Sequence, residues 1–260
     1  MNVQNYINHH IPAQFSIKHV AMARPFNWLY LAVQDMRFHP KASLAHGLIV
    51  TTLLFVTLLV TSVHVYVIAA TITGFMLIGP MLSAGLCEQS RQSEQGKVVS
   101  FDSSLEGLKP CQNSLIQFSG ILLGFTMTWF AISALLLIVT VGNALPSIQQ
   151  LLWGNIFDII TPMQLALYTV IGGLLATIVF VVSVISVPAI IENNISAIDA
   201  MAASVKVVSE NIPTMLVWAG LIVVLTALGF MTYLIGMVVI YPLLAHASWH
   251  AYRDLVQNDK

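Results

Sequence analysis

The chain predicts an all-α membrane protein: a bundle of six transmembrane helices, arranged as three helical hairpins with interfacial amphipathic helices. Three observations carry that prediction. The first is composition, since only 8% of the 260 residues are charged while 57% are hydrophobic, and the mean hydropathy is +0.84. Soluble domains carry about 25% charged and roughly 45–50% apolar residues, and a water-facing surface so poor in charge would not stay dispersed. The second is a set of long apolar runs without Lys, Arg, Asp or Glu. The third is the segregation of Lys and Arg between those runs. With a net charge of −1 and no basic face, nucleic acid is not an expected partner. The lipid bilayer is, and other membrane-protein subunits come next.

The elements follow in order. Met1–Pro40 is punctuated by His, Gln, Lys, Arg and Pro and holds no signal-peptide core. Residues 1–42 are therefore expected to be an uncleaved cytoplasmic segment with an interfacial helix over Trp28–Phe38. In it, Trp28, Leu31 and Met36 would face lipid, and Gln34, Asp35 and Arg37 water. Ser43–Leu86 is free of charge over about 44 residues. As helix that is roughly 66 Å, twice a ~30 Å hydrocarbon core. It reads as two spans turning near Thr61–Val65, around Ser62 and His64.

A second interfacial piece, Phe101–Leu108, precedes one span over Ser114–Val141. In Gly142–Gln164, Trp153 and Phe157 lie one helical turn apart and suit the headgroup zone. Leu165–Ile191 is the fourth span, bounded by Pro162 and Pro188 and softened by Gly172-Gly173. The third interfacial piece, Ser196–Ser209, repeats Ile198, Met201, Val205 and Val208 at helical spacing. Ile212–Tyr252 has length for two spans, with a turn at Phe230–Leu234 between Gly229 and Gly236. The transmembrane domain thus covers 43–252, and a tail, 253–260, follows.

Charge orients the bundle. Lys18, Arg24, Arg37 and Lys41 precede the first span; Arg91, Lys97 and Lys109 lie between the second and third. Lys206 lies between the fourth and fifth, and Arg253 and Lys260 follow the sixth. All 10 basic residues then fall on one side, which the positive-inside rule assigns to the cytoplasm. The expected location is a bacterial cytoplasmic (inner) membrane, crossed several times, with both termini inside. Cys87 and Cys111 fall on that reducing side, so they are expected as free structural thiols.

A unit repeats three times. Each has an amphipathic segment, a break, then a helix with glycine and aliphatics: Gly47-Leu-Ile-Val, Gly120-Ile-Leu-Leu and Gly220-Leu-Ile-Val. Each returns through a proline, Pro80, Pro188 or Pro242. Pro80-Met-Leu-Ser-Ala through Arg91 aligns with Pro242-Leu-Leu-Ala-His through Arg253 without a gap. A proline inside a helix frees a carbonyl, so the three mark expected kinks.

Chemistry has few candidates. His246 and His250, at i and i+4, share a helix face, and His46 sits at a similar depth. Imidazole is a metal and haem ligand, and Glu88 and Glu192, at helix ends, could join. No HExxH glutamate accompanies the histidines, so no metal or haem cofactor is expected and a haem or metal binder is an alternative. No intramembrane ionisable group lies at a midplane, which counts against ion-coupled transport. A transporter or channel-like protein is the other alternative. No nucleotide loop or nucleophile elbow is present, and no catalytic residue is assigned.

Trp28 to Asp35, Gly79-Pro-Met-Leu-Ser-Ala-Gly-Leu-Cys87-Glu88, and His246-Ala-Ser-Trp-His250-Ala-Tyr-Arg253-Asp-Leu resemble a bacterial family of integral membrane proteins, domain of unknown function 2189. The resemblance runs over about Trp28–Val256. Some members carry the label of a cytochrome c oxidase subunit. This chain lacks the midplane His pairs of a haem–copper catalytic subunit, so the resemblance implies at most an accessory one. A non-enzymatic accessory or scaffold protein, associated with a respiratory complex, is the expected function.

Overall fold

The computed structural model describes residues 15–61, 65–141 and 162–258. They form helices almost throughout: α1 (Arg24–Phe38), α2 (Pro40–Thr61), α3 (Val65–Leu82), α4 (Ala84–Glu94), α5 (Phe101–Gly107), α6 (Gln112–Val141), α7 (Pro162–Ser183), α8 (Ser186–Asn193), α9 (Ala197–Glu210), α10 (Ile212–Met231) and α11 (Met237–Leu255). A short 3-10 turn covers Lys109–Cys111. Strands β1 (Phe15–Ile17) and β2 (Val256–Asn258) pair antiparallel, Phe15 opposite Asn258.

Among the described residues five stretches are long and apolar enough to cross a membrane: Pro40–Leu59, Ala70–Glu94, Phe101–Leu136, Leu165–Asn193 and Ile212–Met231. The all-α membrane architecture is that expected from composition. The sixth expected span, α11, is a complete helix, but its second half carries His246, His250, Arg253 and Asp254 and is too polar to count with the five. The expected turn around Ser62 and His64 lies outside the described residues, as do Trp153 and Phe157.

Of the three prolines expected to mark kinks, Pro80 and Pro242 lie within continuous helices, α3 and α11, and Pro188 lies in the first turn of α8. After Pro80 the helix breaks at Ser83, whose hydroxyl donates to the Pro80 carbonyl at 2.6 Å. In the second return, that of Pro188, the break falls at Val184–Ile185 rather than at Gly172-Gly173. Pro188 has no N–H to offer the carbonyl four residues back, which is Val184's. Gly172 serves packing instead: a Cβ there would meet the Trp129 ring at 2.8 Å. Between α10 and α11 the chain turns through Tyr233 and Leu234, both at positive φ, 54° and 70°.

The chain divides into two compact units. One comprises Met1–Thr51, Pro80–Phe118 and Phe180–Lys260; the other comprises Thr52–Gly79 and Ser119–Val179. In the second, three helices meet through few but specific contacts. The Trp129 indole N–H of α6 donates to the Thr73 hydroxyl of α3, and its ring stands edge-on to Tyr168 of α7, centroids 4.9 Å apart.

The first unit has a cyclic plan that accounts for the repeat. The proline-following ends, α4, α8 and α11, pack against one another. Onto each of the first two packs the amphipathic helix that follows it in sequence, α5 on α4 and α9 on α8. The third end, α11, is covered by α1, the amphipathic helix that opens the chain. The sets of three therefore close in a ring.

The three amphipathic helices present different inner faces. In α9 the inner face is small, with Ala197, Ala200, Ala203, Ser204 and Val207 buried, while Ile198 is exposed. For α1 the expected orientation fails at Trp28 and Asp35, while Arg37 is exposed as expected. Trp28 is buried, edge-on to Trp218 at 5.7 Å, and Asp35 faces the interior, whereas Phe26, Tyr30 and Phe38 are exposed. Positions 28, 32 and 35 share one helix face. That face must go where Trp28 buries the most apolar area, and it takes Asp35 with it.

Candidate functional site

The inward face of α1 brings the Asp35 carboxylate against α4 and α11. The sequence places His246 and His250 one turn apart on α11, and both imidazoles turn to this carboxylate. His250 Nε2 donates to Asp35 Oδ2 at 2.9 Å. His246 reaches it through Ser90 of α4: the Ser90 hydroxyl donates to Asp35 Oδ2 at 2.5 Å and lies 2.7 Å from His246 Nδ1. On its far side His246 Nε2 is 3.0 Å from Ser43 Oγ of α2. The Gln89 amide, 3.4 Å from Ser43 Oγ and 3.0 Å from His46 Nδ1, carries the chain on to His46. His46 Nδ1 also lies 3.1 Å from the Ala42 carbonyl.

One proton assignment makes every one of these contacts a hydrogen bond, since amide orientation and imidazole tautomer follow from their partners. Because Ser90 gives its only proton to Asp35, its oxygen must accept, so His246 carries its proton on Nδ1. His246 Nε2 then accepts from the Ser43 hydroxyl. With the Gln89 amide turned over from the placement in which its oxygen faces Ser43 and its nitrogen faces His46, Ser43 accepts from the Gln89 N–H and the Gln89 oxygen accepts from His46 Nδ1–H, which also faces the Ala42 carbonyl. All donors point toward Asp35. The opposite polarity would set two oxygens without a proton between Ser90 and Asp35 and leave His46 with a buried, unpartnered N–H. In the favoured assignment, only the lone-pair nitrogen of His46, Nε2, is without a partner. It lies against Gly85, where a Cβ would overlap it, and the ring is tilted at 48° to that of Phe101 of α5, centroids 4.5 Å apart.

Burial alone would raise the Asp35 carboxyl above its ordinary value. The hydrogen bonds from His250 and Ser90, with the nearby imidazoles, outweigh it and hold the group below that value. Asp254 is set up in the same way: desolvation opposes its charge, but Arg24 and the Trp28 indole N–H hold it low. Arg24 grips it with two nitrogens, at 2.6 and 2.7 Å, and Trp28 donates at 2.8 Å. These two carboxylates fasten α1 to α11.

The expected glutamates lie apart from the histidines. Glu88 is buried in α4, bound by Arg91 Nε at 2.7 Å, Arg91 Nη2 at 3.0 Å and Gln92 Nε2 at 2.8 Å. Gly107 of α5 leaves room for it, since a Cβ there would overlap the carboxylate. Glu192 of α8 pairs with Arg253 of α11 at 3.5 Å, and Arg253 also reaches Glu94 of α4 at 3.1 Å. One guanidinium thus ties together the three central helix ends. Trp249, which donates to Glu94 at 2.9 Å, and Asn193, which donates to Tyr252 at 2.6 Å, reinforce it.

Of the five candidate ligands, His46, His246 and His250 therefore share one hydrogen-bonded chain, while Glu88 and Glu192 serve separate ion pairs. Among the described residues no group of three or more His, Cys, Asp and Glu side chains is arranged to hold a metal ion. Cys87 and Cys111 are buried and unbridged. Asp35, Ser43, Gln89 and Ser90 were not anticipated. The signal available for Asp35 was its i+7 spacing from Trp28; serine and glutamine leave none.

No curated protein and no solved structure matches the chain. Residues 67–192 match the model of the family described as predicted integral membrane protein, domain of unknown function 2189 (DUF2189), and so include Gly79–Glu88 of the motifs that carried the resemblance.

Proposed function

We propose that the chain is a multi-pass protein of the bacterial cytoplasmic membrane, with both termini in the cytoplasm, that acts as a non-enzymatic accessory or scaffold protein in a respiratory assembly. The observation that carries this reading is where the reactive side chains direct their bonds. His246, Ser90 and Asp35, types that serve in catalysis elsewhere, bond one another and join α1, α2, α4 and α11. Such a buried polar network stiffens and specifies a packing arrangement when its groups are satisfied. Orientation is supported by the basic residues.

Purification from native membranes in mild detergent tests the function. Oxidase subunits that copurify at fixed ratio are the expected result; an isolated chain or a simple homo-oligomer counts against it. Reporter fusions after both ends test the orientation, which fails if either end reports a periplasmic position.

A further inference from the structure

We infer that the groove between the start of α2 and the segment entering α5 binds the head group of an anionic phospholipid. The groove has a volume of about 480 Å³ and is walled by Phe38, Pro40, Ala42, Val99 and Phe101, with Lys41 as its cation. That is within the roughly 300–1,000 Å³ of small-molecule sites. Its rim is apolar and open: Phe38 is 74% and Val98 87% exposed.

Charge selects the ligand. Arg24, Arg91, Arg253 and Lys109 are all in ion pairs. Among the described residues, Arg37 and Lys41 form none, and both are exposed. Lys97, two residues before Val99, is also exposed and forms no ion pair among the described residues. Asp102, beside Phe101, is the one exposed carboxylate adjoining the groove in sequence, so the cations prevail. His39 has its Nε2 occupied at 3.3 Å by Ser93.

Continuity with the membrane-spanning surface identifies the source of the anion. Lys41, Leu44 and Leu48 stand at i, i+3 and i+7 on α2 and share a face, and Leu48 is 57% exposed. α2 is one of the apolar stretches long enough to cross a membrane. A phosphate at Lys41 and Arg37 would therefore have its acyl chains along Leu44 and Leu48, with Phe38 and Val98 at the glycerol level. A soluble anion would gain nothing from that stripe.

Delipidated protein in detergent, titrated with short-chain phosphatidylglycerol and read by native mass spectrometry, tests the site. Tight retention of one lipid is expected. A basic residue near a lipid surface contributes about 1 kcal/mol, so Lys41→Gln and Arg37→Gln should each weaken retention about fivefold. Lys41→Arg should preserve it. Lys206→Gln, which removes a half-buried cation of α9, should not change it. Equal retention of phosphatidylcholine, equal binding of free glycerol phosphate, or the same loss in Lys206→Gln as in Lys41→Gln would overturn the inference.

Discussion

The two units solve the same problem, holding helices together, by opposite means. Every described Lys, Arg, Asp and Glu lies in the first unit. There, helix ends and amphipathic helices are joined by a carboxylate-centred chain of hydrogen bonds and by arginine pairs. The second unit has no described charge. Its helices meet through Trp129, Thr73, Tyr168 and small residues such as Gly172. Where lipid surrounds a helix there is no hydrophobic drive for helices to associate, so close packing and single hydrogen bonds must suffice. Where helix ends are polar, several charges can share one network and fix a unique arrangement.

The difference can be broken most severely at Asp35. In Asp35→Ala the His250 and Ser90 donors lose their shared acceptor while buried, which should cost about 3 kcal/mol. The expected result is a large drop in thermal midpoint in detergent; a change within error would show that the network is not what holds α1. The nearest counterpart in the second unit is Thr73→Val. It leaves the Trp129 N–H without its acceptor, and hydrogen bonds between membrane helices are worth about 0.6–1.7 kcal/mol. The loss should accordingly be about 1 kcal/mol, and a loss as large as that of Asp35→Ala would erase the distinction.

The repeated glycines sharpen it further. At Gly47 a Cβ would overlap the Val238 carbonyl and Pro242, whereas at Gly120 and Gly220 nothing lies within 4 Å. Gly47→Ala should cost about 1–3 kcal/mol through forced backbone shifts. Gly120→Ala should stabilise by up to about 1 kcal/mol, because alanine is the better helix former. Midpoints that move in the same direction would contradict this.

The smallest effect is that of pH. Asp35 and Asp254 both titrate below the ordinary carboxylate value of 3.8 in the folded chain. A folded-state value below the unfolded one means stability that is present above the unfolded value and lost as pH falls through the folded one. The midpoint should therefore hold steady down to about pH 4 and decline below it. Asp35→Asn should flatten that decline, and an unchanged decline would assign it to other groups.

What could be read from the sequence follows the same division. The spans were legible because lipid-facing helix needs only length and apolarity. The turn after Gly229 fell where a charge-free run was too long for one crossing. The match of Pro80–Arg91 with Pro242–Arg253 foreshadowed the packing of α4 on α11. The site was legible only in part. His246 and His250 were visible as a pair, but their acceptor lies more than two hundred residues away, on a helix whose polar side was assigned to water. Burial of Trp28 settled that orientation, and hydropathy spacing ranks Trp28 no differently whether it meets lipid or protein. Ser43, Gln89 and Ser90 have no periodicity that marks them. The β1–β2 pairing is three residues long and leaves no pattern.

The closure of the ring by α1 has a temporal consequence. Ile17 pairs with Val256, the Lys18 amide donates to the Leu255 carbonyl at 2.8 Å, and Arg24 holds Asp254. A ribosome therefore delivers α1 long before its binding surface exists. Through the synthesis of some two hundred residues, Asp35 and Trp28 must wait without partners, and the first unit cannot be completed until the last helix emerges. Stops or tags that disturb residues 250–258 would release the start of the chain as well as its end. Conversely, strands β1 and β2 lie side by side, so joining them by a short linker and opening the chain elsewhere would preserve every contact in the ring.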